Sequence, residues 1–233
     1  MRAVDPDVIE IEGPPPLEHA PDVVIEALSA VVTPQRLQRI EEVVANRTDH
    51  LAIVLDRIAD PHNSSAVLRS ADAFGVQAVH VIVGDHGFRA SRGVSKGTHR
   101  WLDVTRYEHA DACARRLKRD GFAIYVAAMG AKTTPDDLRD VPRVAVVFGN
   151  EHRGVSPQMR ELADGAFSIP MRGFVESLNV SVAAAITMQA LARDGRPRLD
   201  ARRREELRAR FLMNSVKNPG AVIERFLGND SSG

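Results

Sequence analysis

Three short segments hold the residues whose types and spacing suit chemistry. Pro61 to Gly75 reads PHNSSAVLRSADAFG. Asn63 or Ser64 is placed to cap a helix that Gly75 ends, with Val67, Ala71 and Phe74 marking its buried side. Arg69 is offset from that stripe and reads equally as a surface arginine paired with Asp72 or as a guanidinium aimed at a phosphate or ribose. Phe148 to Ser156, FGNEHRGVS, leads towards a helix that Ser156 caps with Pro157 at its first position. Gly149 and Gly154 permit a tight backbone beside a ligand, although without a phosphate-loop lysine a structural turn accounts for them as well. Ile169 to Ala185, IPMRGFVESLNVSVAAA, passes through a loop with Pro170 and Gly173 into Ser177, Leu178 and Asn179. The small residues Ser181, Ala183, Ala184 and Ala185 then allow a helix to pack closely. Ser177 and Asn179 combine capping ability with a glycine-bearing loop.

Other chemistries lack their residues. No GxGxxG follows the first apolar run, no Walker lysine motif occurs, and no GxSxG elbow suggests a hydrolase. The eight histidines form neither HExxH nor a set at metal spacing, so no metal is expected.

The elements that must position these segments follow from the apolar pattern. LAIVLD (51–56), AVHVIV (78–83), FAIYVAA (122–128) and RVAVVF (143–148) are short, β-branched and bounded by Gly, Asp or Pro, and read as buried strands. Helical stretches lie between them near 64–74, 108–120 and 156–163, with a longer one near 178–193. Strand and helix in alternation predict an α/β fold, a mainly parallel sheet flanked by helices. Ligands bind beyond the carboxyl ends of such strands, which directs attention to DRIADPHNSS, AMGAKTTP and GNEHRGVS.

The chain of 233 residues has Lys plus Arg equal to Asp plus Glu at 31 each, yet the charge is unevenly placed. Residues 1–33 are acidic and Pro-rich and read as a loosely docked extension. A helix from Thr33 has Leu37, Ile40, Val43 and Val44 on one face, with Arg36, Arg39 and Arg47 largely outside it. Residues 34–195 form the expected main domain, and 196–233 a basic helical extension. Arg193 to Arg210 carries eight arginines against four acids, which suits phosphate contacts or equally a solvated helix of Glu/Arg pairs. The single cysteine, Cys113, excludes an intramolecular disulfide, and the amino terminus lacks a signal-peptide pattern. With no membrane span expected, a cytoplasmic location is the simpler expectation.

Together the three segments resemble, in order and spacing, the signature motifs of the SpoU (TrmH) family of RNA 2'-O-methyltransferases. The similarity runs from about Arg36 to Arg193 and includes SRGVSKGTHRW at 91–101. Within that family the resemblance is strongest to tRNA enzymes that methylate the ribose of guanosine 18, through RLQRIEEVVANRTDHLAIVLDRIADPHNSSAVLR and ESLNVSVAAA. It implies a deep carboxyl-terminal trefoil knot, rare among proteins. It also implies a homodimer with its active site at the interface, and S-adenosylmethionine held mostly by backbone groups. Carried across by position, Ala127, Gly149, Ile169, Met171 and Leu178 contact the cofactor. Arg69 becomes the central catalytic residue, with Asn63, Glu151, Ser177 and Asn179 shaping the site. Arg36, Arg39, Lys96, Arg202 and Arg203 are the basic residues expected to contact the tRNA. The chain departs from the family's strongly basic amino-terminal helix, because Glu41 and Glu42 accompany the arginines there. Ribosomal RNA or another tRNA position is the alternative substrate, and a non-catalytic RNA-binding protein the alternative of another class.

Overall fold

A computed structural model describes residues 8–10, 17–83, 89–91, 97–192 and 198–230. The chain divides into two compact units, Met1–Pro14 with Thr48–Pro197, and Pro15–Arg47 with Arg198–Gly233.

The first unit is built on a sheet of six parallel strands: β2 (Thr48–Asp56), β3 (Val76–Ile82), β5 (Asp103–Tyr107), β6 (Ala123–Ala127), β7 (Val144–Gly149) and β8 (Gly165–Phe167). Their spatial order is β5-β3-β2-β7-β6-β8. Two three-residue strands, β1 (Val8–Glu10) and β4 (Arg89–Ser91), pair antiparallel and apart from this sheet. Strands read from apolar runs extend within a few residues of their expected limits. β5 and β8 carry too short or too polar a pattern to declare themselves.

Period-two alternation sends successive residues to opposite faces. Leu51, Ile53 and Leu55 of β2, with Val144, Val146 and Phe148 of β7, join Val67, Leu68 and Ala71 of helix α3 (Pro61–Ala73) on one face. Phe148 meets Phe167 edge to face there, ring centres 6.0 Å apart. Ala52 and Val54 with Ala145 and Val147 instead face Cys113, Ala114 and Leu117 of α4 (Ala110–Arg119) and Met159 of α5 (Pro157–Leu162). The helix α6 (Val180–Leu191) adds Ala184, Met188 and Leu191 to the first face. Because all six strands run the same way, the three motif segments all leave from one edge.

The second unit brings together an early and a late stretch of the chain: α1 (Pro21–Ser29), α2 (Pro34–Ala45), α7 (Ala201–Met213) and α8 (Pro219–Asp230). This differs from the expected 34–195 domain, since the 34–45 helix lies in the second unit. Within the 1–33 segment, expected as a loosely docked extension, α1 buries Val24, Ala27 and Leu28. The acidic, Pro-rich composition hid their spacing. Thr33 caps α2 as expected, accepting from the Arg36 amide. Arg36 Nε donates to Ser215 Oγ (3.1 Å), Arg208 pairs with Glu41 (2.6 Å), and Arg198 donates to the Ala45 carbonyl (2.6 Å), so α2 and α7 run antiparallel. Arg47, expected outside the apolar face, is 1% exposed and lies 5.7 Å over the Phe211 ring.

His80 of β3 is buried against Tyr107 of β5, with Nδ1 2.9 Å from the hydroxyl and the rings stacked. Burial first, then the Arg116 charge, lowers the His80 pKa from 6.5 to about 4 against the opposing effect of Asp120. The unfolded chain therefore binds a proton between those values that the folded chain refuses. Stability from this site is intact above pH 6.5 and is lost as pH falls towards 4, on the order of 3 kcal/mol. Urea midpoints across that window are expected to fall in the natural chain and to fall less in His80→Asn; identical slopes would refute the assignment.

Candidate active site

The first segment begins at Asp60, whose side chain accepts from the His62 amide at 2.8 Å and caps α3, with Pro61 at the first helical position. The cap is thus neither Asn63 nor Ser64. The difference has a consequence, since it leaves the Asn63 amide group available for other partners.

Those partners come from the other two segments. Glu151 sits in the loop after β7. Its Oε1 accepts from Asn63 Nδ2 at 2.8 Å and from the Asp60 amide at 3.3 Å, and its Oε2 accepts from the Ala59 amide at 3.2 Å. Asn63 Oδ1 in turn accepts from Asn179 Nδ2 at 3.0 Å. Asn179 Oδ1 then caps α6, accepting from the Ser181 amide at 2.9 Å and its hydroxyl at 2.6 Å. Each amide of this chain donates one way and accepts the other, which fixes the orientation of both asparagines. Burial acts to raise the Glu151 pKa, but the Asn63 bond and backbone donors, including Ala59 and Asp60, outweigh it and hold the carboxyl below its ordinary value.

The second segment is tight for a geometric reason. Asn150 and Gly154 exchange backbone hydrogen bonds of 3.0 and 2.8 Å. A Cβ at Gly149 would lie 2.1 Å from the Gly154 carbonyl carbon and 2.1 Å from the Val155 nitrogen. Gly154 itself has φ of +67°, a left-handed conformation that favours glycine. Ser156 caps α5 as expected, accepting from the Met159 amide at 3.3 Å. Asn150 binds the His152 and Arg153 amides through its Oδ1 and the Arg57 carbonyl through its Nδ2.

Ala127, Gly149 and Ile169 stand at or just beyond the carboxyl ends of the neighbouring strands β6, β7 and β8. The loop from Met171 to Ser177 is exposed, with Met171 at 38%, Phe174 at 108% and Val175 at 64%. Leu178 is half-buried. Arg69 is exposed on α3, outside the buried Val67, Leu68 and Ala71 stripe. Among the other expected residues, Arg36 and Arg39 lie on α2 and Arg202 and Arg203 on α7, within the second unit. Arg39 pairs with Glu42 at 3.2 Å, and Arg202 and Arg203 pair with Glu206 at 3.3 and 3.0 Å. Lys96 lies outside the described residues. No cluster of metal-ligating side chains occurs among the described residues, and no helix there is long and apolar enough to cross a membrane. The residues that sequence reasoning missed are Asp56, Asp60 and Asn150. Only the turn-forming sequence ADPHN could have pointed to Asp60.

Residues 50–189 match the SpoU rRNA Methylase family. The chain is similar to the tRNA (guanosine(18)-2'-O)-methyltransferase of Thermus thermophilus, 38% identical over 77% of this chain and 97% of that one. It is also similar to the 23S rRNA (guanosine-2'-O-)-methyltransferase RlmB of Nitrosomonas europaea, 38% identical over 66% of this chain and 60% of that one. Among solved structures, the TrmH/SpoU tRNA modifying enzyme of A. aeolicus superposes with a TM-score of 0.70 at 29% identity, over 79% of this chain and 98% of that one.

The Gly149 geometry yields a test. Its colliding neighbours are backbone atoms with no side-chain freedom to yield. Gly149→Ala is expected to destabilise the chain by at least about 2 kcal/mol in chemical unfolding. Unchanged stability would show that the loop is looser than described.

Proposed function

The chain belongs to the SpoU rRNA Methylase family, and from that membership we propose that it transfers a methyl group from S-adenosylmethionine to the ribose 2'-oxygen of guanosine 18 in tRNA. The observation that carries this reading is the hydrogen-bonded chain Glu151, Asn63, Asn179, which joins one residue from each motif segment. The relative acting on tRNA aligns over nearly its whole length and the one acting on ribosomal RNA over 60% of its own, which favours tRNA over the rival substrate.

The residues at the strand ends fit such a cofactor. Ala127, Gly149 and Ile169 offer backbone groups, and Met171 and Leu178 add apolar surface, a donor set suited to a neutral ring rather than to a polyphosphate. When bound, S-adenosylmethionine supplies an electrophilic methyl group on a sulfonium sulfur. The protein's task is to orient the ribose and to stabilise charge. Arg69 serves by binding a substrate phosphate or the ribose oxygen as negative charge develops. Glu151 is an organiser rather than a proton acceptor. Both its oxygens already accept hydrogen bonds, and a pKa below the ordinary value makes it a weak base. Ser177, two residues before the Asn179 cap, lines the approach.

Arg36, Arg39, Arg202, Arg203 and Lys96 supply phosphate contacts in this reading. The surface pairs of Arg39, Arg202 and Arg203 contribute little stability, so exchanging them for phosphates costs little. A cytoplasmic location accords with a tRNA substrate, and the trefoil threading belongs to the same reading. The protein acts as a homodimer. Val182 and Ile186, one turn apart on α6, are 46% and 41% exposed, an apolar face that association would cover.

Three experiments test these statements. Purified protein with labelled S-adenosylmethionine is expected to methylate a tRNA transcript, and to fail when guanosine 18 carries a 2'-deoxyribose. Arg69→Ala and Arg69→Lys should each lose at least about tenfold in turnover with cofactor affinity retained; full activity in either would remove Arg69 from the mechanism. In sedimentation, Val182→Asp combined with Ile186→Asp should convert a dimer to a monomer, and an unchanged dimer would place the interface elsewhere.

A further inference from the structure

Among the described residues, one buried acid lies outside the three motif segments. Asp56 ends the apolar strand β2, and its side chain has no exposed surface. A carboxyl group in such a place is costly unless its oxygens find donors. Its Oδ2 accepts from the Ser156 amide at 2.7 Å, across 100 positions of sequence, and its Oδ1 lies 3.4 Å from Arg57 Nε. Along the β2–β7 pairing Asp56 is level with Gly149, the last residue of β7. Beyond that point side chains take over from the backbone ladder. Asn150 Nδ2 donates to the Arg57 carbonyl at 2.9 Å, at the start of the loop. Asp56 holds Ser156, at its end. Between these two anchors the loop is pinched by the Asn150–Gly154 pair, and Glu151 projects from it to the Ala59 and Asp60 amides and the Asn63 side chain.

We propose that Asp56 is a positioning residue for methyl transfer, which fixes the closing end of the 149–156 loop through the Ser156 amide and so aims Glu151 at the 59–63 segment. Asp56 touches neither substrate nor cofactor. It acts through the loop, and the inference rests on the methyltransferase reading above. Arg57 supports the same arrangement. It adopts φ of +57°, its amide donates to the Ile82 carbonyl at 3.0 Å, and its Nη2 donates to Gln158 Oε1 at 3.3 Å, so the residue after Asp56 is tied to β3 and α5.

The test compares Asp56→Ala and Asp56→Asn in the full chain. Asparagine keeps an oxygen that can accept from Ser156, whereas alanine leaves that buried amide without its acceptor, a loss worth about tenfold. In Asp56→Ala, kcat on tRNA is expected to fall at least about tenfold with KM for tRNA within about twofold, and hydrogen exchange at the Ser156 amide to quicken by a similar factor. Asp56→Asn should restore kcat to within about threefold and restore amide protection. Should Asp56→Ala fail to fold, Asp56→Leu keeps the volume without the acceptor and carries the same expectation. A folded variant lacking the acceptor yet turning over like the natural chain would overturn the proposal, as would unchanged Ser156 exchange or an asparagine variant as poor as alanine. Failure of the natural chain to methylate any tRNA would instead sink the methyltransferase reading, and the exchange measurement would still decide whether Asp56 clamps the loop.

Discussion

The arrangement of this site depends on the need of one carboxyl group, Glu151, for donors. It projects from a loop whose backbone is already closed on itself, and the amides of Ala59 and Asp60 and the side chain of Asn63 supply what it accepts. In doing so it draws the start of α3 against the loop after β7. Asn63 extends the constraint to Asn179 and therefore to the first turn of α6. Three segments spread over more than a hundred residues become one surface through few directional bonds. The two that link side chain to side chain, Asn63–Glu151 and Asn63–Asn179, are partly shielded from water, the setting in which hydrogen bonds specify geometry most strongly.

The sheet makes this possible. Parallel strands deliver every following loop to the same edge, and burial on both faces leaves that edge as the place where polar groups can gather. Gly149 lets the β7 loop turn back within van der Waals contact of itself, and Asp56 and Asn150 hold its two ends. Rigid backbone beside an apolar rim suits a ligand recognised by shape and peptide groups. No charged fingerprint is then required.

Much of the fold was legible because β-branched runs such as LAIVLD and RVAVVF admit few readings other than buried strand. Thr33 and Ser156 were legible as caps because a hydroxyl followed by proline is a local signal. The failures have equally physical causes. β8 is three residues long, and α1 is masked by acids and prolines. The capping of α3 by Asp60 rather than Asn63 turned on which of several polar residues precedes Pro61. Asn63, Glu151 and Asn179 could be named from the family motifs, but no spacing revealed that they bond to one another. Asp56 was invisible as a functional residue, since its partner Ser156 meets it only when β2 and β7 pair.

Whether the Glu151, Asn63, Asn179 chain acts as a unit in methyl transfer is best decided by single-turnover rates of Glu151→Gln, Asn63→Ala and Asn179→Ala, alone and combined, on tRNA. A unit predicts that any one change costs nearly as much as all three together. Costs that multiply would mean that the three residues act independently, and would contradict the account.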